Sequence, residues 1–403
     1  MPGDYAWRNR IPVAPLKIIA LDGIKEFAQN VNDHIVEIRK EINIPEESLV
    51  RSLHYTDYDA TSYIVDVTTP RFGTGEGKGI IKESVRGSDL YILCDVTNHS
   101  LTYSVNGHLN HMSPDDHYQN LKRIIAASAS HAKRITVIMP FLYESRQHKR
   151  SARESLDCAL VLEELSSMGV HNIITIDAHD PRVQNAIPLK GFDNYFATYN
   201  FMKEILRKYK DLTIDKEHLM IISPDEGAMD RAVYLANNLG VDMGMFYKRR
   251  DYSQVVEGRN PIVAHEFLGA SVQGKDVIIV DDMISSGESM IDTAKLLKQR
   301  LAKRVIVCTT FGLFTNGPEA FDNAYEKGFI DCVITTNLNY IPAEILDRPW
   351  YKQADLSRAL ASIINTFNHD APLSEAMQPH YKIQKLARKY KSAEPYDYIG
   401  KIV

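Results

Sequence analysis

Short runs of β-branched and aliphatic residues alternate with segments of helical periodicity along most of this chain, and that alternation limits the fold more than any other feature. LYILCDV (90–96), RITVIMP (134–140) and NIITIDAH (172–179) are separated by helical patterns that begin near Pro114 and Arg153. The rhythm resumes with HLMIISPD (218–225), a helix over 226–239, DMGMFYKR (242–249), DVIIVDD (276–282) with its helix, RVIVCTTFGLF (304–314) and DCVITTN (331–337). Strands that are apolar on both faces and spaced by one helix each imply βαβ units, so the expected class is α/β, with parallel sheets flanked by helices. The repetition suggests two similar lobes meeting near residue 195, although no literal repeat is visible. Ligands in such sheets bind at the carboxyl ends of strands. The polar motifs PFLYESRQ, DAHD, SPDEG, KRRD and DDMISSG all follow strands.

At 403 residues and 44% apolar content the chain can bury more than one core. A net charge of −5 gives no general attraction for nucleic acid, but RQHKR (146–150) and KRRD (248–251) concentrate cations locally, as a small polyanion would require. Cys94, Cys158, Cys308 and Cys332 are far apart with no C-x-x-C spacing, which fits core thiols of a reduced, cytoplasmic protein. MPGDYAWRNR at the N-terminus lacks the apolar core of a signal peptide, and no stretch approaches the roughly 18 apolar residues of a membrane span. A soluble protein with no membrane partner is expected.

The most informative local pattern is VIIVDDMISSGES (277–289), an apolar run that reaches two acids, turns through small residues and enters the helical MIDTAKLLKQRL. Backbone N–H groups at that helix start, with the hydroxyls of Ser285, Ser286 and Ser289, suit a phosphate monoester, and Gly287 permits close approach. Asp281 and Asp282 would repel the phosphate itself, so they are expected to accept hydrogen bonds from sugar hydroxyls or to hold Mg²⁺ through water. An Asp-Asp pair that merely ends a strand is the plainer alternative.

Other segments are less telling. RFGTGEGKGIIKESVRG (71–87) is neither a Walker loop nor a G-x-G-x-x-G fingerprint, and by glycine pattern alone it reads as a hairpin. Residues 98–117 form a polar segment with His99, His108, His111 and His117, in which Ser113-Pro114 reads as a helix N-cap and first helical position rather than part of a metal cluster.

Taken in order, F-x-x-G-E at 72–76, ESVRG-x-D at 83–89, RITVIMPF with Arg146-Gln147 beyond it, D-x-H at 177–179, SPD-x-G at 223–227, the KRR run at 248–250 and the Asp-Asp loop at 281–289 resemble the ribose-phosphate diphosphokinase (PRPP synthetase) family. The resemblance runs from about Arg71 to about Asn339, roughly two thirds of the chain. It implies two type I phosphoribosyltransferase-like lobes, here 1–194 (with 1–60 as an extension) and 195–350. A helix and tail at 351–403 would pack on the first lobe or on a neighbouring subunit. It also implies transfer of the diphosphoryl group of Mg-ATP to the anomeric hydroxyl of ribose 5-phosphate, with Mg²⁺ as cofactor and a homodimer-based oligomer, up to a hexamer.

By the same resemblance Phe72 and Glu76 reach the adenine of a neighbouring subunit's ATP, Arg146 and Gln147 hold ATP from their own subunit, and His179 and Asp225 contact Mg²⁺ or Mg-ATP. Plainer roles for the last two are a strand-end residue and a helix N-cap. Lys248 and Arg250 match the family's mobile catalytic loop, and His179 also falls among the catalytic positions. Positive charge is what diphosphoryl transfer needs where negative charge builds.

The chain departs from the family pattern at Thr74, His148 and Ser285, where acids are usual, and at Ala159, where a lysine is usual, so it reads as a divergent bacterial-type member. Two other readings use the same residues. A catalytically silent regulatory homologue would be expected to lose the loop cations or metal contacts, which are all present. A phosphoribosyltransferase that consumes PRPP would leave the motifs of the first half unexplained.

Overall fold

A computed structural model of the chain describes residues 7, 10–41, 58–250, 262–373 and 379–388; for 248–250, 262–265 and 379–380 only the backbone is described. In the first half, β1 (Leu16–Ala20) and α1 (Lys25–Glu41) are followed by the short pair β2 (Val67–Thr68) and β3 (Ile80–Ile81), then by β4 (Asp89–Leu93). A hairpin of β5 (Thr102–Val105) and β6 (His108–His111) precedes α2 (Pro114–Ser128), β7 (Arg134–Ile138), α3 (Asp157–Ser167), β8 (Asn172–Ile176) and β9 (Gly191–Tyr195). The strands order as β1-β4-β7-β8-β9, every pairing parallel. Each residue of β4 and β8 is buried, which is why these strands read as mainly apolar runs without polar alternation.

The second half comprises α4 (Thr198–Lys208), β10 (Leu219–Ser223), a 3-10 turn at Glu226–Ala228, α5 (Met229–Leu239), β11 (Asp242–Arg250), β12 (Ile262–Leu268) and β13 (Asp276–Ile284). It continues with α6 (Glu288–Gln299), β14 (Arg304–Gly312), α7 (Glu319–Glu326), β15 (Cys332–Thr336), α8 (Ala343–Leu346), β16 (Tyr351–Ala354), α9 (Ser357–Asn368) and α10 (Pro379–Arg388). Its sheet orders as β12-β11-β10-β13-β14-β15-β16. This sheet is mixed rather than purely parallel, because edge strand β12 runs antiparallel to β11. Strand β10 pairs with β11 only as far as Met245, so 246–250 continue beyond the shared sheet as a ribbon paired with β12 alone, with a register shift between Arg249 and Arg250.

Helices α2 and α3 cover one face of the first sheet through Leu121, Ile124, Leu162 and Leu165. Helices α6 and α7 cover one face of the second through Ala294, Leu297 and Phe321. A third apolar core contains residues of both sheets together with α1, α4, α5 and α9, so the lobes pack through a continuous interior. The four cysteines are unpaired and buried in these cores.

Two elements differ from the sequence reading of the first lobe. The segment counted as an extension supplies β1, an integral edge strand, and α1. The polar 98–117 segment forms the β5/β6 hairpin; after it Ser113 caps α2 in a capping box with Asp116, as Ser113-Pro114 indicates. The helix that follows the second sheet returns to the first lobe. Helix α9 lies along α1, Asn368 O accepts from Val13 N at 2.7 Å, and Arg39 donates to Asn365 and Asn368, each at 2.8 Å. Helix α10 packs on α4 and α5.

Candidate active site

The 277–289 pattern folds as a strand, a three-residue turn and a helix. Gly287 takes φ of +87°, a left-handed conformation that disfavours any side chain. A Cβ there would also stand 2.3 Å from the Phe321 ring. Glycine is thus required by packing as well as by its backbone conformation. Gly287, the N-cap of helix α6, makes no side-chain capping bond, and Ser285 and Ser286 directly precede it.

Asp281 and Asp282, adjacent near the end of β13, behave differently. Burial and the nearby carboxylates of Asp282 and Asp225 push the Asp281 carboxyl well above the usual range. Burial also acts on Asp282, but a hydrogen bond from His179 and the charge of Arg231 outweigh it and hold that carboxyl below its ordinary value. His179 Nδ1 lies 2.7 Å from Asp282 Oδ2. With Asp282 ionised, Nδ1 donates to it, and in the neutral ring this tautomer has its lone pair on Nε2.

This bond crosses from one lobe to the other, and Arg231 of α5 reinforces the junction. It donates through Nε to Asp177 at 2.7 Å and through a terminal nitrogen to the Ala178 carbonyl at 3.0 Å. Thr310 of β14 donates to the other Asp177 oxygen at 2.7 Å. Asp177 itself has φ of +53°, so the DAHD turn is held in a strained conformation by partners on the opposite lobe. Burial pushes the Asp177 carboxyl up, with Arg231 and Thr310 pulling against it.

A cavity of about 610 Å³ opens at this junction. His148, His179, Asp180 and Asp281 line a polar part, and Phe196, Phe201 and Tyr234 an apolar part. Asp225 caps the 226–228 turn by accepting from Gly227 N at 2.9 Å, and its charge is felt by Asp281. Among the described residues no three His, Cys, Asp or Glu side chains form a metal cluster, so a cation here would complete its shell with water and phosphate oxygens. A buried Asp281 flanked by two carboxylates fits that use, because a cation would let it ionise.

Phe72, Glu76, Arg146, Gln147 and Ser289 lie apart from the cavity lining. Arg146 is exposed, and Gln147 donates to the Ser155 carbonyl at 2.8 Å. Phe72, 53% exposed, and Glu76, bonded to Thr74 at 2.9 Å, sit on a turn closed by the Arg71–Gly77 bridge. The β5/β6 hairpin supports that turn: the Arg71 guanidinium stacks 4.1 Å from the Tyr103 ring and pairs with Asp116 at 2.8 Å. The carbonyl of Ser289, the second residue of α6, accepts from the Thr293 hydroxyl at 2.8 Å. The side chains of Lys248 and Arg250 lie outside the described residues; their backbones belong to the ribbon beyond β11's shared pairing.

Sequence reasoning missed Arg231, and it noted His148 only as a departure from pattern. An arginine three residues into a helix that follows SPDEG has no spacing signal of its own; only the meeting of the lobes gives it a partner.

Residues 16–169 match the N-terminal domain of ribose phosphate pyrophosphokinase, and 193–347 match the phosphoribosyl transferase domain. The ribose-phosphate pyrophosphokinases of Vibrio parahaemolyticus and Vibrio cholerae are 31% and 32% identical to this chain, each match covering 77% of it and 90% of the relative. The crystal structure of phosphoribosylpyrophosphate synthetase from Mycobacterium smegmatis superposes with a TM-score of 0.67 at 23% identity, over 88% of this chain and 99% of that one, so the fold is shared. With both domains matched and both lobes joined at one cleft, the chain belongs to the ribose-phosphate pyrophosphokinase family.

Proposed function

We propose that the chain transfers the diphosphoryl group of ATP to the anomeric hydroxyl of ribose 5-phosphate, giving phosphoribosyl pyrophosphate and AMP. The observation that carries this reading is the His179–Asp282 hydrogen bond, which joins the sugar-phosphate loop of the second lobe to the DAHD turn of the first. The sugar phosphate sits on the uncapped start of α6 with Ser285, Ser286 and Ser289, where backbone N–H groups and the helix dipole favour an anion. Asp281 and Asp282 then accept from the ribose hydroxyls, which orients the anomeric oxygen toward the cleft.

On the other side, Arg146 and Gln147 bind the nucleotide, and Phe72 and Glu76 of a second copy complete the adenine site. The exposure of Phe72 supports a partner there, and with it a homodimer-based oligomer. Lys248 and Arg250 supply positive charge to the diphosphoryl group as it moves. Mg²⁺, when bound, neutralises charge on the ATP phosphates, and His179 and Asp225 are the residues that would hold it. Four unpaired, buried thiols fit a reducing, cytoplasmic setting, and among the described residues no helix is long and apolar enough to cross a membrane.

The test is incubation of the full chain with ribose 5-phosphate, Mg²⁺ and ATP, following nucleotides by chromatography. AMP should appear in step with ribose 5-phosphate consumed. ADP as product, or AMP formed equally without the sugar, would overturn the assignment.

A further inference from the structure

Two imidazoles meet in the cleft. His148, on the loop after β7, and His179, on the DAHD turn after β8, both line the cavity, and their ring centres are 5.5 Å apart. Each ring turns Nδ1 toward a different carboxylate: His179 toward Asp282 at 2.7 Å, His148 toward Asp180 at 3.0 Å. For His179 the contact is a hydrogen bond, and for His148 it is an ion-pair contact to a carboxylate that Arg182 also binds; a carboxylate beside Nδ1 favours the tautomer with its lone pair on Nε2, the arrangement by which metal-bound histidines are commonly oriented. Neither side chain is sealed off, at 13% exposed for His148 and 36% for His179.

The spacing suits one shared ion. A metal–nitrogen bond of about 2.1 Å puts each ring centre about 3.2 Å from the ion, and two such arms at a tetrahedral angle separate the centres by about 5.3 Å. We propose that His148 and His179 together hold a divalent cation of the imidazole-preferring class, such as Co²⁺ or Zn²⁺, through their two Nε2 atoms. Water or nucleotide phosphate oxygens fill its remaining positions. Two nitrogen donors favour such ions over Mg²⁺, which prefers oxygen, so without nucleotide the pair takes a cation of this class, whereas Mg²⁺ depends on the oxygens that ATP brings. The inference rests on the proposed function only in taking His179 as a metal contact.

The test uses the full-length chain without nucleotide, titrated with Co²⁺ by visible ligand-field absorption and with Zn²⁺ by calorimetry. The wild type should bind one ion with the spectrum of a nitrogen-ligated, low-coordinate site. His148→Ala and His148→Gln, each checked for an unchanged circular dichroism spectrum, should weaken Co²⁺ binding at least tenfold and alter its spectrum, and Asp180→Asn should weaken it less. His148→Asp should move preference toward Mg²⁺. Wild-type affinity and spectrum in both His148→Ala and His148→Gln, or no Co²⁺ binding by the wild type, would show that the rings only stack. AMP formation separates the two readings. A chain that makes AMP while its Co²⁺ binding ignores His148 keeps the proposed reaction and loses this site; one that binds Co²⁺ through both histidines but never makes AMP does the reverse.

Discussion

Arg231 of the second lobe donates to Asp177 of the first at 2.7 Å, with the two side chains only 12% and 6% exposed. The pair orients the turn that carries His179, so it links the packing of the lobes to the geometry of the cleft. Arg231→Met would leave the Asp177 charge buried with only Thr310 beside it. Removing one partner of a buried pair costs about 3–5 kcal/mol. The urea midpoint should fall accordingly at unchanged m-value, and a loss below about 1 kcal/mol would mean that the pair does not fasten the lobes.

Gly287→Ala tests the sugar-phosphate turn. A side chain at φ of +87° costs about 1–2 kcal/mol, and the collision with Phe321 adds about 1–3 kcal/mol of overpacking unless the helix start moves. If it moves, the phosphate loses its N–H partners, so the KM for ribose 5-phosphate should rise at least tenfold while that for ATP changes much less. Equal changes in both constants would detach the turn from sugar recognition.

The large features were legible because buried strands announce themselves. LMIIS and CVITT are apolar except for small hydroxyl residues at their ends, and they are buried throughout. LKIIA at 16–20 is apolar except for Lys17, but it stands before the first recognisable motif and so reads as extension. TYSV and HLNH in the β5/β6 hairpin bury no residue fully; the first alternates polar and apolar over only four residues and the second does not alternate, so the period-2 signal is too short to mark them. Contacts that assemble the cleft were illegible for a different reason. Asp177 and Arg231 are 54 residues apart, His179 and Asp282 are 103 apart, and nothing local to either partner encodes how two independently patterned lobes dock.

If Phe72 and Glu76 complete a neighbour's site, inactive chains can rescue one another. Mixing Glu76→Ala with Asp225→Ala chains under subunit exchange should restore up to about a quarter of wild-type activity, because a random hybrid dimer contains one intact site. Light scattering or native mass spectrometry would prove exchange. No recovery despite exchange would place the adenine contacts within a single chain.

His369 makes the seam between the chain's two ends sensitive to acid. It stacks on Trp7 at 4.8 Å, donates from Nδ1 to the Asn365 carbonyl at 2.7 Å, and accepts from the Tyr58 hydroxyl at 3.3 Å. Burial first, and the Arg39 guanidinium second, lower its pKa to about 4. A folded pKa below the unfolded value of about 6.5 means that the unfolded chain binds the proton first, so this stability is present above about pH 6.5 and is lost as pH falls toward 4. The loss is on the order of 3 kcal/mol. Urea midpoints at pH 7, 5.5 and 4 should fall less steeply in His369→Gln than in the wild type, and parallel profiles would remove His369 from the acid response.

Lys248 and Arg250 stand on the ribbon that runs on past the shared sheet, between the SPDEG turn and the sugar-phosphate loop. If they neutralise charge that develops only during transfer, replacing either with Ala should lower kcat about a hundredfold or more and change KM far less, as loss of one transition-state donor does elsewhere. If they only attract ATP, KM should rise while kcat holds, and added salt should imitate the substitution by screening. The double variant separates these outcomes most cleanly. Still folded and still binding ATP by calorimetry, it should be almost inert in AMP release; near-normal turnover would mean that the ribbon's cations are solvated charges with no part in the reaction.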